Sequence, residues 1–169
     1  MTVHFGDGTT ITSGTSSGTI TGGLVLQVQS AKGPDDDVNA DGATNWVDVL
    51  SQNITPTATS SRVKVEVCGE PVIGGYHTQG VAIRVLRGST VIYPDSTNSN
   101  LSGDNAIYSS IADNGDNYNT MNGVCVVDSP STTSQTTYKY QLRRTQGNNN
   151  NRARAGTKAL TLTELAPNP

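Results

Sequence analysis

Strict alternation of apolar and polar side chains is the feature of this chain that most constrains its fold. In residues 62–67 a valine occupies every second position between charged residues, and in residues 136–143 Tyr138, Tyr140 and Leu142 alternate with polar side chains. A period of two bounded by turn residues is typical of half-buried antiparallel strands. Pro130 precedes the second stretch and has no amide hydrogen for a ladder, so the chain is expected to turn there.

Short segments that read as β-strands occur along most of the chain. The predicted strands cover residues 23–30, 45–51, 62–67, 80–87, 89–93, 106–111, 123–128, 136–143 and 159–165. No long run has apolar residues at the three-and-four spacing of a helix, so almost no helix is expected. Strands of this length at roughly even spacing predict an all-β sandwich or barrel. Polar loops are predicted at residues 94–104, 113–122 and 147–156.

Composition and length indicate two unequal parts. The 169 residues suffice for one domain, but 33% apolar residues with a single Phe and a single Trp is a low apolar content. A low apolar content suits a thin core between two sheets, part of which neighbouring copies of the chain supply. Residues 1–22 are a low-complexity Thr/Ser/Gly segment that buries little by itself. They are interpreted as an extended N-terminal attachment arm, and residues 23–169 as the knob domain.

Three pieces of the chain carry a resemblance to a known class of proteins. They are Asp128-Ser129-Pro130 followed by Thr132-Thr133-Ser134 and Thr137-Tyr138-Lys139, then residues 54–65, and the ending at residues 160–167. These pieces are similar to segments of fibre and spike proteins of tailed bacteriophages, many of them marine. Their order along the chain is also the order found in those proteins. The resemblance spans most of the chain from Leu24 to Pro167. It implies a jelly-roll β-sandwich that assembles as a homotrimer on a virion.

Two roles on a virion follow from that resemblance. The preferred one is a tail fibre or spike protein that mediates attachment to the host cell, with residues 1–22 docking to other virion proteins. The alternative is a capsid decoration, or head-fibre, protein with a purely structural role, which the absence of a shaft between arm and knob favours. A cellular sugar-binding module of the same fold is a third reading. It is disfavoured because the chain starts Met-Thr-Val-His-Phe, without a signal peptide.

The same features predict location and exclude some partners. With no signal peptide and no membrane span, the chain is expected to fold in the host cytoplasm and to reside in the virion. The net charge of −3 suggests no polyanion partner. The basic residues Arg143, Arg144, Arg152, Arg154 and Lys158 cluster late in the chain without interleaved aromatic residues. They are interpreted as a solvated loop or a contact with an acidic neighbour, and neither nucleic acid nor membrane is expected to bind.

One short motif is typical of a calcium loop. Asp37, Asn39 and Asp41 place oxygen ligands at alternate positions, Gly42 follows, and Asp48 falls at the twelfth position. The stretch resembles the calcium loop of dockerin modules. The residues that follow, however, read as a strand instead of the helix such loops require. An Asx-rich surface turn without a cofactor is therefore the preferred interpretation, and a calcium site is the alternative.

A second loop region is a candidate for binding a host surface glycan. Aromatic rings contact the apolar face of a sugar, and amides and carboxylates reach its hydroxyls. These residue types are gathered in Tyr108, Asn114, Asp116, Asn117, Tyr118 and Asn119. The alternative is that Tyr108 belongs to the core or to a trimer interface and that the asparagines only keep the loop soluble.

Catalysis is not expected. The two histidines are His4 in the arm and His77 in a Gly-flanked segment, with no Ser or Cys in a recognisable nucleophile context. The acidic residues carry no glycosidase signature. Cys68 and Cys125 are predicted to be buried thiols acting as small apolar side chains, and a disulfide between them requires their strands to be neighbours.

Overall fold

The computed structural model describes nine stretches of the chain. They are residues 2–4, 10–12, 25–33, 38–39, 45–74, 79–94, 107–111, 123–146 and 152–167. Every regular element within these stretches is a β-strand, which agrees with the sequence prediction. Across the same stretches the chain contains no helix with the length and apolar character needed to cross a membrane.

Twelve strands are present in the described stretches. In chain order they are β1 (Thr2–His4), β2 (Thr10–Thr12), β3 (Val25–Lys32), β4 (Val38–Asn39), β5 (Val47–Ile54), β6 (Arg62–Gly74), β7 (Gln79–Arg87), β8 (Thr90–Tyr93), β9 (Ile107–Ile111), β10 (Val124–Asp128), β11 (Thr136–Gln146) and β12 (Arg152–Leu165). Nine of them match the nine strands predicted from the sequence. The bounds of seven differ by at most three residues, whereas β6 ends seven residues after its predicted end and β12 begins seven residues before its predicted start. The strand β12 begins at Arg152, so the predicted loop over residues 147–156 is wrong in its second half.

The strands form two antiparallel five-stranded sheets and one small ribbon. The first sheet has the order β10-β6-β12-β3, and β4 pairs with β12 beside β3. The second sheet has the order β5-β11-β7-β8, and β9 pairs with β7. The ribbon joins β1 to β2, within the segment interpreted as an arm. Two antiparallel sheets are consistent with the predicted β-sandwich. The jelly-roll topology, the trimer and the division at residue 22 stay predictions.

The core lies between the two sheets. The first sheet contributes Val63, Val65 and Val67 of β6, Leu160 and Leu162 of β12 and Val124 of β10, and the second contributes Val49 and Ile54 of β5, Ile83 and Val85 of β7 and Tyr138, Tyr140 and Leu142 of β11. Each of these side chains is less than one tenth exposed. The period-two stretches thus point their apolar positions inward, as the alternation predicts. Burial of both inner faces is the main favourable contribution to folding.

The two cysteines correct a prediction. Cys68 of β6 and Cys125 of β10 are free and exposed instead of buried. Cys68 shares the outward parity of Lys64 and Glu66, because residues 63, 65 and 67 occupy the inner face. Their strands are indeed neighbours, since Cys125 is in register with Glu66. The thiols therefore lie on the outer face of the first sheet, and the apolar residues around them in sequence belong to the opposite face.

The edge strand β3 exposes apolar side chains. Val25, Leu26 and Val28 are 51%, 38% and 55% exposed. Gln27 turns toward the sandwich interior instead, where its Nε2 donates to Glu164 Oε2 at 2.6 Å and to the Thr55 carbonyl at 2.7 Å. Leu26 and Val28 flank Gln27 in the strand, so they lie on the opposite, outer face.

The buried carboxylate of Glu164 lies on the inner face of β12. Its Oε1 accepts hydrogen bonds from the Thr57 backbone amide and the Thr57 hydroxyl, both at 2.7 Å. Burial raises the pKa of Glu164, but the polar groups of Ser61, Gln27 and Thr57 outweigh this effect and lower the pKa below its ordinary value. The carboxylate therefore stays ionised and fixes the β5–β6 connection to the end of the core.

A second polar contact fixes the chain between β10 and β11. The buried Tyr138 donates its hydroxyl to Asp128 Oδ2 at 2.7 Å, and Arg87 Nη1 contacts the two Asp128 oxygens at 2.9 and 3.0 Å. Arg87 Nη1 also donates to the Ser129 carbonyl at 3.1 Å. Burial and the contact with Asp128 both raise the pKa of Tyr138, so the phenol stays protonated and donates. The turn at Pro130 therefore begins from a fixed position.

Replacing Tyr138 with Phe is expected to destabilise the protein more than the same change at Tyr140. Both rings are buried in the same strand, but the Tyr140 hydroxyl has no hydrogen-bond partner within the described residues. We expect Tyr138→Phe to lower the free energy of unfolding by about 1.5–3 kcal/mol, because it removes a hydrogen bond to a charged group. Tyr140→Phe should lower it by less than about 1 kcal/mol. Urea denaturation of the two variants measures the difference, and equal losses would contradict the assigned contact.

Replacing Glu164 with Gln is expected to lower the free energy of unfolding by about 1–3 kcal/mol. Glutamine keeps one oxygen, but the amide nitrogen that replaces the other cannot accept the hydrogen bond donated by Thr57 or by Gln27. Glu66→Gln is the matched control, since Glu66 pairs with Lys64 on the exposed outer face and should change stability by less than about 1 kcal/mol.

The same pair of variants tests the pKa of Glu164. Its pKa in the folded chain lies below the ordinary value of 4.5, so its contribution is complete above about pH 4.5 and is lost as the pH falls through the folded value. Urea denaturation from pH 6 to pH 3 should therefore show that the free energy of unfolding decreases less for Glu164→Gln than for the wild type as the pH falls. An equal decrease in the two proteins would contradict an ionised Glu164.

Candidate functional site on the outer face of the second sheet

The outer face of the second sheet carries a cluster of charged and amide side chains from three strands. Strand β11 points Tyr138, Tyr140 and Leu142 inward, so the residues between them project outward. The register places Gln141 opposite Arg84 of β7 on one side and Asp48 of β5 on the other. Residues far apart in sequence are thus brought into one row across the sheet.

These side chains form a continuous hydrogen-bonded chain. Lys139 Nζ donates to Asp48 Oδ2 at 2.9 Å, and Gln141 Nε2 donates to Asp48 Oδ1. Arg84 Nε donates to Gln141 Oε1 at 2.7 Å. A carboxylate only accepts and a guanidinium only donates, so the two neighbours fix which end of the Gln141 amide faces each of them. The network therefore sets the orientation of the Arg84 side chain.

The only tryptophan of the chain lies against this network. Trp46 immediately precedes β5 and is half-buried. The Arg84 guanidinium carbon lies 4.1 Å from the centroid of the indole ring, and that of Arg143 lies 4.9 Å from it. A guanidinium at this distance is attracted to the electron-rich face of an indole. We call Trp46, Asp48, Arg84, Lys139, Gln141 and Arg143 together the outer-face cluster.

The electrostatics of the outer-face cluster keep Asp48 and Arg84 charged. The hydrogen bond from Gln141 lowers the pKa of Asp48, and although partial burial opposes it, Lys139 and Arg84 lower the pKa further. Partial burial lowers the pKa of Arg84, and the nearby charge of Arg143 lowers it too, whereas Asp48 raises it. A guanidinium remains protonated after such shifts. The cluster therefore holds a carboxylate beside two guanidinium groups that repel one another.

Sequence reasoning identified parts of this cluster but did not connect them. No aromatic residue is interleaved with the late basic residues in sequence, but Arg143 contacts Trp46, which lies 97 positions before it in the chain. The late basic residues do not form one patch, because Arg143 and Arg144 belong to β11 while Arg152 and Arg154 belong to β12 of the other sheet. Arg84 was missed as a functional residue. Its outward position between Ile83 and Val85 was the available signal.

The structure places two of the four predicted calcium ligands. Asp48 lies in β5 of the second sheet, where its two oxygens accept from Lys139 and Gln141. Asn39 lies in β4 of the first sheet, in register with Arg154. Asp37 and Asp41 lie outside the described residues. Within the described stretches, no three His, Cys, Asp or Glu residues gather as a metal site would require. The calcium site stays a prediction.

The predicted glycan-binding residues are described only at Tyr108. It lies in β9, in register with Ala82 of β7, and Ala82 is in turn in register with Arg143. Tyr108 therefore belongs to the same sheet as the outer-face cluster and to the same row of paired positions as Arg143. Asn114, Asp116, Asn117, Tyr118 and Asn119 lie outside the described residues, and their role stays a prediction.

Comparison with known proteins gives only distant similarity. No protein-family model and no curated protein sequence matches the chain. Among solved structures, the VP2 subviral particle of infectious bursal disease virus is similar with a TM-score of 0.46 and 12% identity, over 81% of this chain and 32% of that chain. A structure of the Gt strain of the same virus gives a TM-score of 0.36 and 14% identity, over 85% and 38% of the two chains. The chain spans less than two fifths of the length of either protein. At this level of similarity, function has to be argued from the chain's own residues.

Removal of the Arg84 charge is expected to change how ions quench the fluorescence of Trp46. With a single indole in the chain, tryptophan emission reports on the outer-face cluster alone. In Arg84→Met we expect the ratio of iodide to caesium quenching constants to fall about twofold at low ionic strength, because a cation next to the ring attracts iodide and repels caesium. Lys64→Met, on the outer face of the first sheet, should leave the ratio unchanged. An unchanged ratio in Arg84→Met would contradict the stacking of Arg84 on Trp46.

Proposed function

We propose that the chain is a virion surface protein of a tailed phage and that it attaches the particle to the host cell through the outer face of its second sheet. The observation that carries the proposal is the position of Trp46 among charged and amide side chains on an outer face. An indole beside hydrogen-bonding groups of both kinds is suited to a saccharide, which has apolar ring faces and many hydroxyls. The fibre and spike resemblance of the sequence supports a virion as the setting.

The proposed assembly is a homotrimer. Residues 1–22 contact other virion proteins, and the knob carries the attachment surface. Three copies present three weak sites to one cell surface, so the apparent affinity rises by about 10²–10⁴ without any site being tight. The chain reaches the virion from the host cytoplasm, where it folds. No catalytic step is part of the proposal.

A structural decoration protein on the capsid is the second candidate. The exposed Val25, Leu26 and Val28 of β3 favour it, because this apolar strand follows the proposed arm by only a few residues. Exposed apolar side chains that adjoin one another are typical of protein contact surfaces. In this alternative the arm and β3 contact the shell, and the outer-face cluster only stabilises the second sheet.

A cryo-electron microscopy map of the virion, combined with an adsorption assay, distinguishes the two candidates. For attachment we expect density at the tail with the second sheet facing outward, and purified wild-type chain should compete with virions for host cells. Trp46→Ala should compete at least tenfold less well, whereas Val127→Ala, which alters an exposed apolar residue of the first sheet, should compete like the wild type. Density on the shell together with no competition by the purified chain would contradict attachment and support decoration.

A further inference from the structure

We propose that the outer-face cluster binds an anionic saccharide, that is, a sugar chain bearing a carboxylate, sulfate or phosphate group. The inference deepens the proposed attachment function and rests on it. The anionic group would be held by Arg84, and the sugar hydroxyls by Asp48 and Lys139 beside the indole of Trp46. None of these contacts requires a change in the strands that carry the cluster.

Arg84 has unused hydrogen-bonding capacity. Its Nε is committed to Gln141, but within the described residues its two terminal amino groups donate to no protein acceptor. A guanidinium has a planar fork of donors that matches the two oxygens of a carboxylate, sulfate or phosphate. Because Gln141 and Trp46 already hold the side chain, little conformational entropy remains to be lost when a ligand binds.

Positive charge is concentrated around the indole of Trp46. Arg84 and Arg143 place two guanidinium groups within 5 Å of the same ring centroid, at 4.1 and 4.9 Å. Their mutual repulsion contributes to the lowered pKa of Arg84. An anion bound between them would offset the repulsion, whereas a neutral ligand would leave it in place. The chain as a whole is acidic, with a net charge of −3, so this local concentration of cations does not follow from its overall composition.

The side chains beside the indole can also bind the uncharged part of a saccharide. The side chains of Asp48 and Lys139 are 49% and 33% exposed, so acceptors and donors remain accessible to hydroxyl groups beside the indole. Single-stranded nucleic acid also combines anions with flat rings, but it binds along grooves with several aromatic residues and many cations. The cluster has one aromatic ring and an exposed carboxylate that would repel a phosphate backbone. A saccharide with isolated anionic groups fits this arrangement better.

Titration of the full chain with matched saccharide pairs tests the inference. Sialyllactose, sulfated lactose and lactose phosphate are each compared with lactose by the fluorescence of Trp46, and an oligothymidylate serves as the nucleic-acid probe. At least one acidic saccharide should bind about tenfold tighter than lactose, and this preference should fall as salt is added. The probe that binds best identifies the anionic group. Equal binding of lactose and all three acidic forms, or tighter binding of the oligothymidylate, would overturn the inference.

Variants assign the binding to the cluster. Arg84→Lys keeps the positive charge but loses the planar set of guanidinium donors. It should weaken binding of the best acidic saccharide about tenfold and leave binding of lactose unchanged. Lys64→Ala removes a cation from the first sheet and should bind like the wild type. Urea denaturation confirms that both variants are folded. An Arg84→Lys protein that binds like the wild type would overturn the assignment to Arg84.

The inference and the proposed function fail in different ways. If the wild-type chain and Arg84→Lys compete equally for host cells, and no acidic saccharide is preferred, attachment stands and the inference is wrong. If the wild-type chain prefers an acidic saccharide through Arg84 but does not compete with virions, the binding site stands and attachment is wrong.

Discussion

Burial of the two inner faces against each other is the interaction on which the rest of the structure depends. The strands β6 and β12 in one sheet, and β11 and β7 in the other, are each paired on both sides and supply most of the core. A strand paired on both edges has its backbone hydrogen bonds satisfied, so it can be buried without unpaired backbone groups. Apolar residues make up only one third of the chain, and those of the core lie mainly on the inner faces of these four strands.

Two acidic side chains, Glu164 and Asp128, lie next to the core and fix connections between strands. Glu164 follows the apolar positions of β12 and fixes the β5–β6 connection, while Asp128 fixes the chain at the start of the β10–β11 connection. Glu164 accepts hydrogen bonds from Thr57 in the β5–β6 connection, whereas Asp128 accepts them from Tyr138 of β11 and Arg87 of β7. A carboxylate withdrawn from water needs hydrogen bonds to its oxygens, and both the buried Glu164 and the partly buried Asp128 meet this condition. The connections are therefore held by specific contacts where apolar area is no longer available.

The fold was predictable from the sequence to the extent that it follows from alternation. The inner positions of β6 and β11 were identified, because apolar side chains at every second residue allow only one inward face. Cys68 and Cys125 were misassigned because thiols occur on either side of a sheet and their apolar sequence neighbours belong to the other face. The outer-face cluster could not be predicted, since the contact of Trp46 with Arg84 and Arg143 depends on which strands are neighbours and in what register. Pairing between distant strands is not encoded in local spacing.

The interleaving of core and surface along β11 has a consequence for how such a protein changes over generations. Tyr138, Tyr140 and Leu142 maintain the interior, while Lys139, Gln141 and Arg143 alternate with them on the exterior. Exchange of every second residue can therefore alter what the exterior recognises while the interior, and with it the fold, is inherited intact. A lineage under pressure from a changing partner would accumulate substitutions at odd-numbered positions of this strand. The even-numbered positions would record common descent.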